Sequence, residues 1–489
     1  MIVSVGKKCY LCTRISKGNS DKNRIFRMTN NRNSFSGSLG FVLAAAGSAV
    51  GLGNIWRFPY LAARDGGGLF LLLYVVLAVT FGFTLLITEI AIGRRSQQGP
   101  LTAYKFFHRK WAFLGLFSFI VPAIIYPYYC VIGGWVTKYF WTYLTFSGKE
   151  AVDDSYFGGF ISSQWPPIVF MTLFAACCFL VVYRGVEKGI EKFSKIVMPV
   201  LLVLVIFVCG YSLTISHTDA SGVTRTGLEG AGIYFIPNFE GITLRRFLMI
   251  ALDATGQLFY SLSIAMGIMV AYGSYMKKDV NLGKAVDRIE ICDTMIAILA
   301  GLMIIPAVYV FSGTEGMSAG PGLMFISLPK VFDSLGAFGE WFGLVFFLLV
   351  LFAALTSAIS ILEACVTSII DKFHWSRKKS VAVVAFFGFL ASVVVCQGYN
   401  NLYFEFQLPN GAVAQILDVF DYVSNNVLMP IVAICTSILF GWVVKPRLLI
   451  GEMRMNGYEF HRKKLYIIML RYIVPFLLFV LLLGAFGIY

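Results

Sequence analysis

The feature that most constrains this chain is a series of long apolar runs, each bounded by glycine, proline or clustered charge, recurring from residue 39 to residue 488. A helix that crosses a bilayer needs about 20 predominantly apolar residues. The runs predict helices at 39–63, 68–93, 113–145, 165–183, 190–215, 246–275, 284–311, 339–370, 379–397, 414–443 and 465–488, eleven spans in all. Hydrophobic residues make up 58% of the 489 and charged residues 13%, against roughly 45–50% and 25% in soluble domains. An ordinary soluble enzyme is excluded, and the expected fold class is an all-α polytopic membrane protein.

Charge placement then gives orientation. A formal net charge of +14 in a soluble domain would suggest a nucleic-acid partner. Here most of the 40 Lys and Arg fall in residues 1–37 and in the alternate connections on that side, the bias of cytoplasmic segments. The N-terminus is expected in the cytoplasm and Tyr489 outside, with no nucleic-acid partner. Residues 1–34 carry Lys7, Lys8, Arg14, Lys17, Lys22, Arg24 and Arg27 without an apolar stretch, so they read as a basic arm and not as a signal peptide. Met28 is an alternative natural start. Cys9 and Cys12 form a lone C-x-x-C, lacking the second pair that a zinc site requires. The other eight cysteines lie within predicted spans, where free Cys behaves as a small hydrophobe, so no disulfide framework is implied.

Two predicted spans carry glycine and small polar residues at membrane depth. The first reads Ala46-Gly47-Ser48-Ala49-Val50-Gly51-Leu52-Gly53-Asn54, with three glycines in seven residues, and the sixth runs from Gly256-Gln257 through Ser261-Leu262-Ser263 to Gly267. Small residues can simply permit close helix packing. They also permit unwinding, and non-helical backbone within a bilayer is tolerated only around a buried or water-filled cavity. Two interrupted helices five spans apart fit an inverted repeat of spans 1–5 (39–215) and 6–10 (246–443), with an extra helix at 465–488, in one transmembrane domain over 35–488. Such breaks expose carbonyls from one half-helix and amides from the other, so a cation and a ligand carboxylate can sit side by side. Sodium prefers oxygen ligands, and hydroxyls lie nearby in Thr294 and in Thr356-Ser357.

Ionisable side chains within spans are expensive and point to function. The candidates are Glu89, Asp253, Asp293 and Glu363. Asp293 is the strongest, because an isolated carboxylate stays ionised only beside a cation or strong donors. Glu89 and Glu363 either cap broken-helix amides or gate the inner pathway, and Asp253 is placed to face an outer vestibule.

Residues 37–60, GSLGFVLAAAGSAVGLGNIWRFPY, closely resemble the first-helix signature of the neurotransmitter:sodium symporters. The likeness continues through Gly66-Gly67-Gly68, Gly93-Arg94, Gly320-Pro321-Gly322-Leu323-Met324-Phe325, Leu328-Pro329 and Ala354-Leu355-Thr356-Ser357, and covers roughly residues 32 to 445. Eleven spans resemble the bacterial amino-acid transporter branch. The resemblance implies one Na⁺ among the Ala49 carbonyl, Asn54, Ser261, Asp293 and the substrate carboxylate. It implies a second among the carbonyls of Gly47, Val50 and Ala353 and the hydroxyls of Thr356 and Ser357. The implied substrate pocket comprises Leu52, Gly53, Ile125, Tyr129, Tyr260, Ser261, Ser263, Met266, Ser357 and Ile361, with Tyr129 donating to the carboxylate and Tyr260 closing over the ligand. Arg57 with Asp421 resembles an extracellular gate, and Arg32 with Asp371, near Tyr275, a cytoplasmic one.

Departures from the family pattern refine the expectation. Chloride-dependent members carry an asparagine where this chain has Asp293 and a serine where it has Ala297. A fixed carboxylate supplies the charge that chloride otherwise brings, so chloride independence is expected; the same carboxylate is placed to take a proton once sodium leaves. Monoamine-transporting members carry an aspartate where this chain has Gly51, which favours a zwitterionic amino acid with a neutral, hydrophobic or aromatic side chain. Ala265 stands where the bacterial pattern often has glycine, and it makes a left-handed backbone costlier. The resulting expectation is a Na⁺-coupled L-amino-acid symporter in a prokaryotic inner membrane, the alternative being a non-transporting sensor that kept the site. An enzyme is not expected, since His108, His217, His374 and His461 all fall in loops or at span ends.

Overall fold

The computed structural model describes residues 34–218, 222–237, 239, 242–313 and 323–488. In chain order the first span is α1 (Ser38–Ala49) and α2 (Phe58–Arg64), joined through residues 50–57 and bent by 50°. There follow α3 (Gly68–Ser96), the short α4 (Pro100–Phe107), α5 (Ala112–Leu144), α6 (Pro166–Tyr183) and α7 (Val186–Thr214). The second half consists of α8 (Leu244–Ser261), α9 (Ile268–Ser274), α10 (Leu282–Ser312), α11 (Ala337–Phe373), α12 (Arg377–Cys396) and α13 (Ile416–Val443). The short α14 (Arg447–Met453) and the last long helix α15 (Lys463–Ala485) complete it.

Among the described residues, nine helices are long and apolar enough to cross a bilayer, or ten with the bent first pair taken as one span. The remaining expected span, 246–275, is α8 and α9 separated by residues 262–267, and Arg245, Arg246 and Asp253 make α8 less apolar than its neighbours. All eight described cysteines are free; the C-x-x-C pair lies outside the described residues.

A single apolar core runs through the bundle, with α11 lying along α5 and α9 along α3. Glycine allows the second pairing. A Cβ on Gly93 would collide with the Val270 carbonyl, and one on Gly273 with the Ile90 carbonyl.

The two ends of the bundle are built differently. At the basic end, Arg94 and Glu452 form an ion pair at 2.9 Å with both side chains 1% exposed, and Arg94 Nη1 also donates to the Val280 carbonyl at 2.8 Å. Asn456 Nδ2 donates to the Lys278 carbonyl at 2.7 Å. The segment around α14 is thus strapped over the ends of α3 and α9. At the opposite end, a hairpin pairs 216–218 with 224–226, another pairs 406–407 with 413–414, and short helices lie at Asp154–Ser162, Gly227–Phe235 and Leu328–Ser334. There Arg64 meets Asp253 at 2.5 Å and Asp65 at 3.0 Å, and Arg246 meets Asp65 at 3.0 Å.

Candidate functional site

The two breaks are adjacent in space, and local sequence explains each. α1 ends at Ala49, and Val50 turns into extended backbone. A Cβ on Gly51 would run into Ser357 Oγ and the Tyr129 hydroxyl, and one on Gly53 would lie 2.7 Å from the Tyr260 ring. A side chain at 51 would require Ser357 and Tyr129 to move, so the present packing disfavours an acidic residue there. In the second break Ser263, Ala265 and Gly267 adopt φ of 53°, 62° and 71°. The left-handed region costs a non-glycine residue about 1–2 kcal/mol, so the surroundings must enforce it. Ser263 Oγ donates to the Ser48 carbonyl at 3.0 Å, and the Ala265 amide donates to Glu89 Oε1 at 2.7 Å. Glu89 therefore caps a broken-helix amide, one of the two roles open to it from sequence.

Four of the residues expected around the first sodium converge between the breaks. Asn54 Nδ2 donates to Asp293 Oδ1 at 2.8 Å, and Ser261 Oγ donates to the same oxygen at 2.7 Å. Ser261 Oγ also lies 3.0 Å from Asn54 Oδ1. Tyr74 reaches Asp293 Oδ2 at 3.4 Å. Ala49 lines the adjoining cavity. Asp293 is fully buried, and all the partners just named are neutral. Among the described residues no ion pair includes it. A buried carboxylate held only by neutral groups, with Asn54 Oδ1 and Ser261 Oγ beside it, fits a hard monovalent cation that brings the missing positive charge.

The five residues expected around the second sodium lie where α1 meets α11. A Cβ on Gly47 would contact Thr356 Cβ at 3.3 Å, so these two positions face each other directly. Val50 and Ala353 are fully buried. Thr356 Oγ1 is 3.0 Å from the Ala353 carbonyl, and Ser357 Oγ donates to the Ser48 carbonyl at 3.0 Å.

Next to these oxygens is a cavity of about 20 Å³ lined by Ser48, Gly51, Gly53, Ile125, Tyr129, Tyr260, Ser261, Ser263, Met266, Ser357 and Ile361. Leu52 contributes its backbone amide, which donates to the Tyr129 hydroxyl at 3.3 Å. Ser48 is a member that sequence reading missed. Its carbonyl gathers hydroxyls from α11 and the second break, and its own hydroxyl lies 3.3 Å from Ser263 Oγ. Serine within a run of small residues gives no signal beyond packing.

Above Tyr260 opens a second cavity of about 260 Å³, lined in part by Arg57, Asp253, Tyr260, Asn410 and Asn425. Asp253 does face this vestibule. Arg57 sits 5.8 Å from the Tyr260 ring centre, and among the described residues it closes no ion pair with Asp421 within 4.0 Å. Asp421 accepts instead from Asn425 Nδ2 at 2.6 Å. Below the site, the basic end is interlocked. Tyr275 donates to Glu363 Oε1 at 2.7 Å, and Glu363 is held by Arg377 at 2.9 and 2.5 Å. Asp371 accepts the Gly99 amide at 2.5 Å, at the start of α4. Arg32, its expected partner, lies outside the described residues.

Comparisons with known proteins agree with this arrangement. The model of the sodium:neurotransmitter symporter family matches residues 32–151 and 162–488. The chain is 34% identical over 459 residues to YhdH of Bacillus subtilis, named an uncharacterized sodium-dependent transporter, covering 92% of this chain and 97% of that one. It is 24% identical over 471 residues to the sodium- and chloride-dependent GABA transporter 2 of Rattus norvegicus, covering 84% and 73%. Among solved structures, MhsT in complex with L-phenylalanine matches with a TM-score of 0.81 and 33% identity, over 93% of this chain and all of that one.

Proposed function

The chain belongs to the sodium:neurotransmitter symporter family, and from that premise we propose that it carries neutral, hydrophobic or aromatic L-amino acids together with Na⁺ by alternating access, without chloride. It is a sodium-dependent transporter and not an enzyme. The observation that carries the finer reading is the buried Asp293 carboxylate, which meets only neutral donors, from Asn54, Ser261 and Tyr74. That fixed charge balances one Na⁺ and does the work of chloride. The ligand carboxylate completes the same oxygen shell beside Ala49 and the Tyr129 hydroxyl, so each of the two co-ligands raises the other's affinity.

The second Na⁺ belongs between α1 and α11, among Gly47, Val50, Ala353, Thr356 and Ser357. The substrate class is supported by Ile125, Met266 and Ile361 around the pocket, by glycine at 51 packed against Ser357 and Tyr129, and by the L-phenylalanine bound by the related MhsT. Arg57 and Asp421 form the outer gate, and Tyr275 and Asp371 with Arg32 the inner one. The basic end is the cytoplasmic side of a bacterial inner membrane, which puts the N-terminus in the cytoplasm and the C-terminus outside. Repeats 39–215 and 246–443 contribute one broken helix each, and 465–488 stands apart from both.

Uptake of labelled L-phenylalanine, L-leucine and glycine into proteoliposomes, with Na⁺ or K⁺ outside and with or without chloride, tests this reading. Uptake requires Na⁺, ignores chloride and is strongest for the two apolar substrates. Asp293→Asn lowers Na⁺-dependent uptake at least tenfold without chloride. Uptake by the parent protein that requires chloride would overturn the role of Asp293, and Na⁺-dependent binding without accumulation would make the protein a sensor.

A further inference from the structure

Glu89 is a second fully buried carboxylate, and its surroundings differ from those of Asp293. Its Oε1 accepts the Ala265 amide at 2.7 Å, while its Oε2 is buried and meets no partner among the described residues. Three neighbouring elements meet close to Glu89. From α4 comes Tyr104, whose hydroxyl lies 3.2 Å from Thr436 Oγ1 of α13 and beside both Glu89 and Ser118. From α5 comes Ser118, whose buried Oγ faces the Tyr104 hydroxyl. The Ser118 carbonyl abuts Gly267, which puts the cluster directly below the second break, towards the basic end.

The titratable groups facing this cluster are few. Tyr104 is the nearest on α4, Cys435 lies beyond it on α13, Tyr466 of α15 is bonded to Thr88 beside Glu89, and the second break offers only an amide. Further along α3, Arg94 is committed to Glu452. Among the described residues no Lys, Arg or His pairs with Glu89. An ionised carboxylate with one amide donor and no counter-ion is strongly disfavoured in such a place. A cation would need several oxygen ligands, and Tyr104 and Thr436 already bond each other. A proton on Oε2 removes that uncompensated charge and turns the oxygen into a hydrogen-bond donor.

We propose that Glu89 is a proton-binding site, occupied while the cytoplasmic end is closed. The cluster lies at the meeting of α3, α4, α5 and α13, so separation of these helices admits water. The proton then passes from Oε2 to that water, and the carboxylate left behind is hydrated. Because the closed arrangement binds this proton and the open one releases it, cytoplasmic acidity favours closure by linkage. This site depends neither on the transported ligand nor on the charge of Asp293.

Infrared difference spectroscopy of the full-length protein in lipid nanodiscs tests the assignment without substrate. In Na⁺ buffer at neutral pH the parent protein shows a protonated-carboxyl carbonyl band that Glu89→Gln removes and Asp293→Asn keeps. Tyr104→Phe, which leaves Glu89 in place, shifts that band without abolishing it, and this readout stands even if Glu89→Gln fails to fold. A band that survives Glu89→Gln, or one indifferent to Tyr104→Phe, overturns the proposal, as does the absence of any such band in the parent.

Discussion

The basic end of this bundle and the opposite end are both rich in charge, yet they use it differently. At the basic end two pairs lie deep, Arg94 with Glu452, each 1% exposed, and the fully buried Glu363 with Arg377, while Arg462–Asp287 and His461–Glu459 stay at the surface. At the opposite end Arg64 and Asp253 are 37% and 39% exposed, Lys330 and Asp154 are more open still, and Arg57 and Asp421 are not closed on each other. Buried pairs are costly to break because the surviving charge is stranded. Exposed pairs exchange readily with water. The two deep pairs therefore tie the basic end below the candidate site, and Arg64–Asp253 and Lys330–Asp154 at the opposite end have no such depth.

Removing the deepest latch gives the largest expected effect. Glu452→Ala strands Arg94 in the interior and destabilises the protein by about 3–5 kcal/mol, whereas Asp253→Ala at the outer end costs below about 1 kcal/mol. Thermal unfolding in detergent compares the two directly, and equal losses would abolish the contrast between the ends.

Glu363→Ala sharpens the same contrast by acting locally. It frees Tyr275 and strands Arg377 next to α9, so local opening becomes easier by roughly 3 kcal/mol, about a hundredfold in exchange rate. Hydrogen exchange read by mass spectrometry rises in Ile268–Ser274 and stays as in the parent in Phe58–Arg64. Uniform change in both would mean that the two ends are not independently latched.

Much of this fold could be read from the sequence because apolar length is a strong signal. The run at 68–93 corresponds to a helix over Gly68–Ser96, and the glycine-rich 47–53 stretch marks the first break. The helices at Pro100–Phe107 and Leu328–Ser334 were not foreseen, since seven or eight residues carry too few turns for a periodic pattern. Pairings that depend on tertiary approach were equally hidden. Nothing local joins Asp371 to the Gly99 amide, or Arg94 to Glu452 some 358 positions away. In the candidate site, the oxygens around Asp293 were accessible through resemblance to a family, while the role of the Ser48 carbonyl emerges only when α1, α11 and the second break are in contact.

A small effect of the opposite sign is expected at the boundary between the ends. Ala265 holds φ of 62°, and Ala265→Gly relieves about 1 kcal/mol of left-handed strain. A modest rise in the unfolding temperature checks this. A fall would show that the methyl group packs more favourably than the backbone suffers, and that the break is stiffer than its φ values imply.

The glycine contacts between α3 and α9 have a mechanical consequence. With Gly93 against Val270 and Gly273 against Ile90, the two backbones touch without side chains between them to deform or change rotamer. Such an interface has little give, so α9 behaves as the short arm of a crank whose shaft is α3. A tilt of α9 would therefore bear directly on the end of α3, where Arg94 engages Glu452.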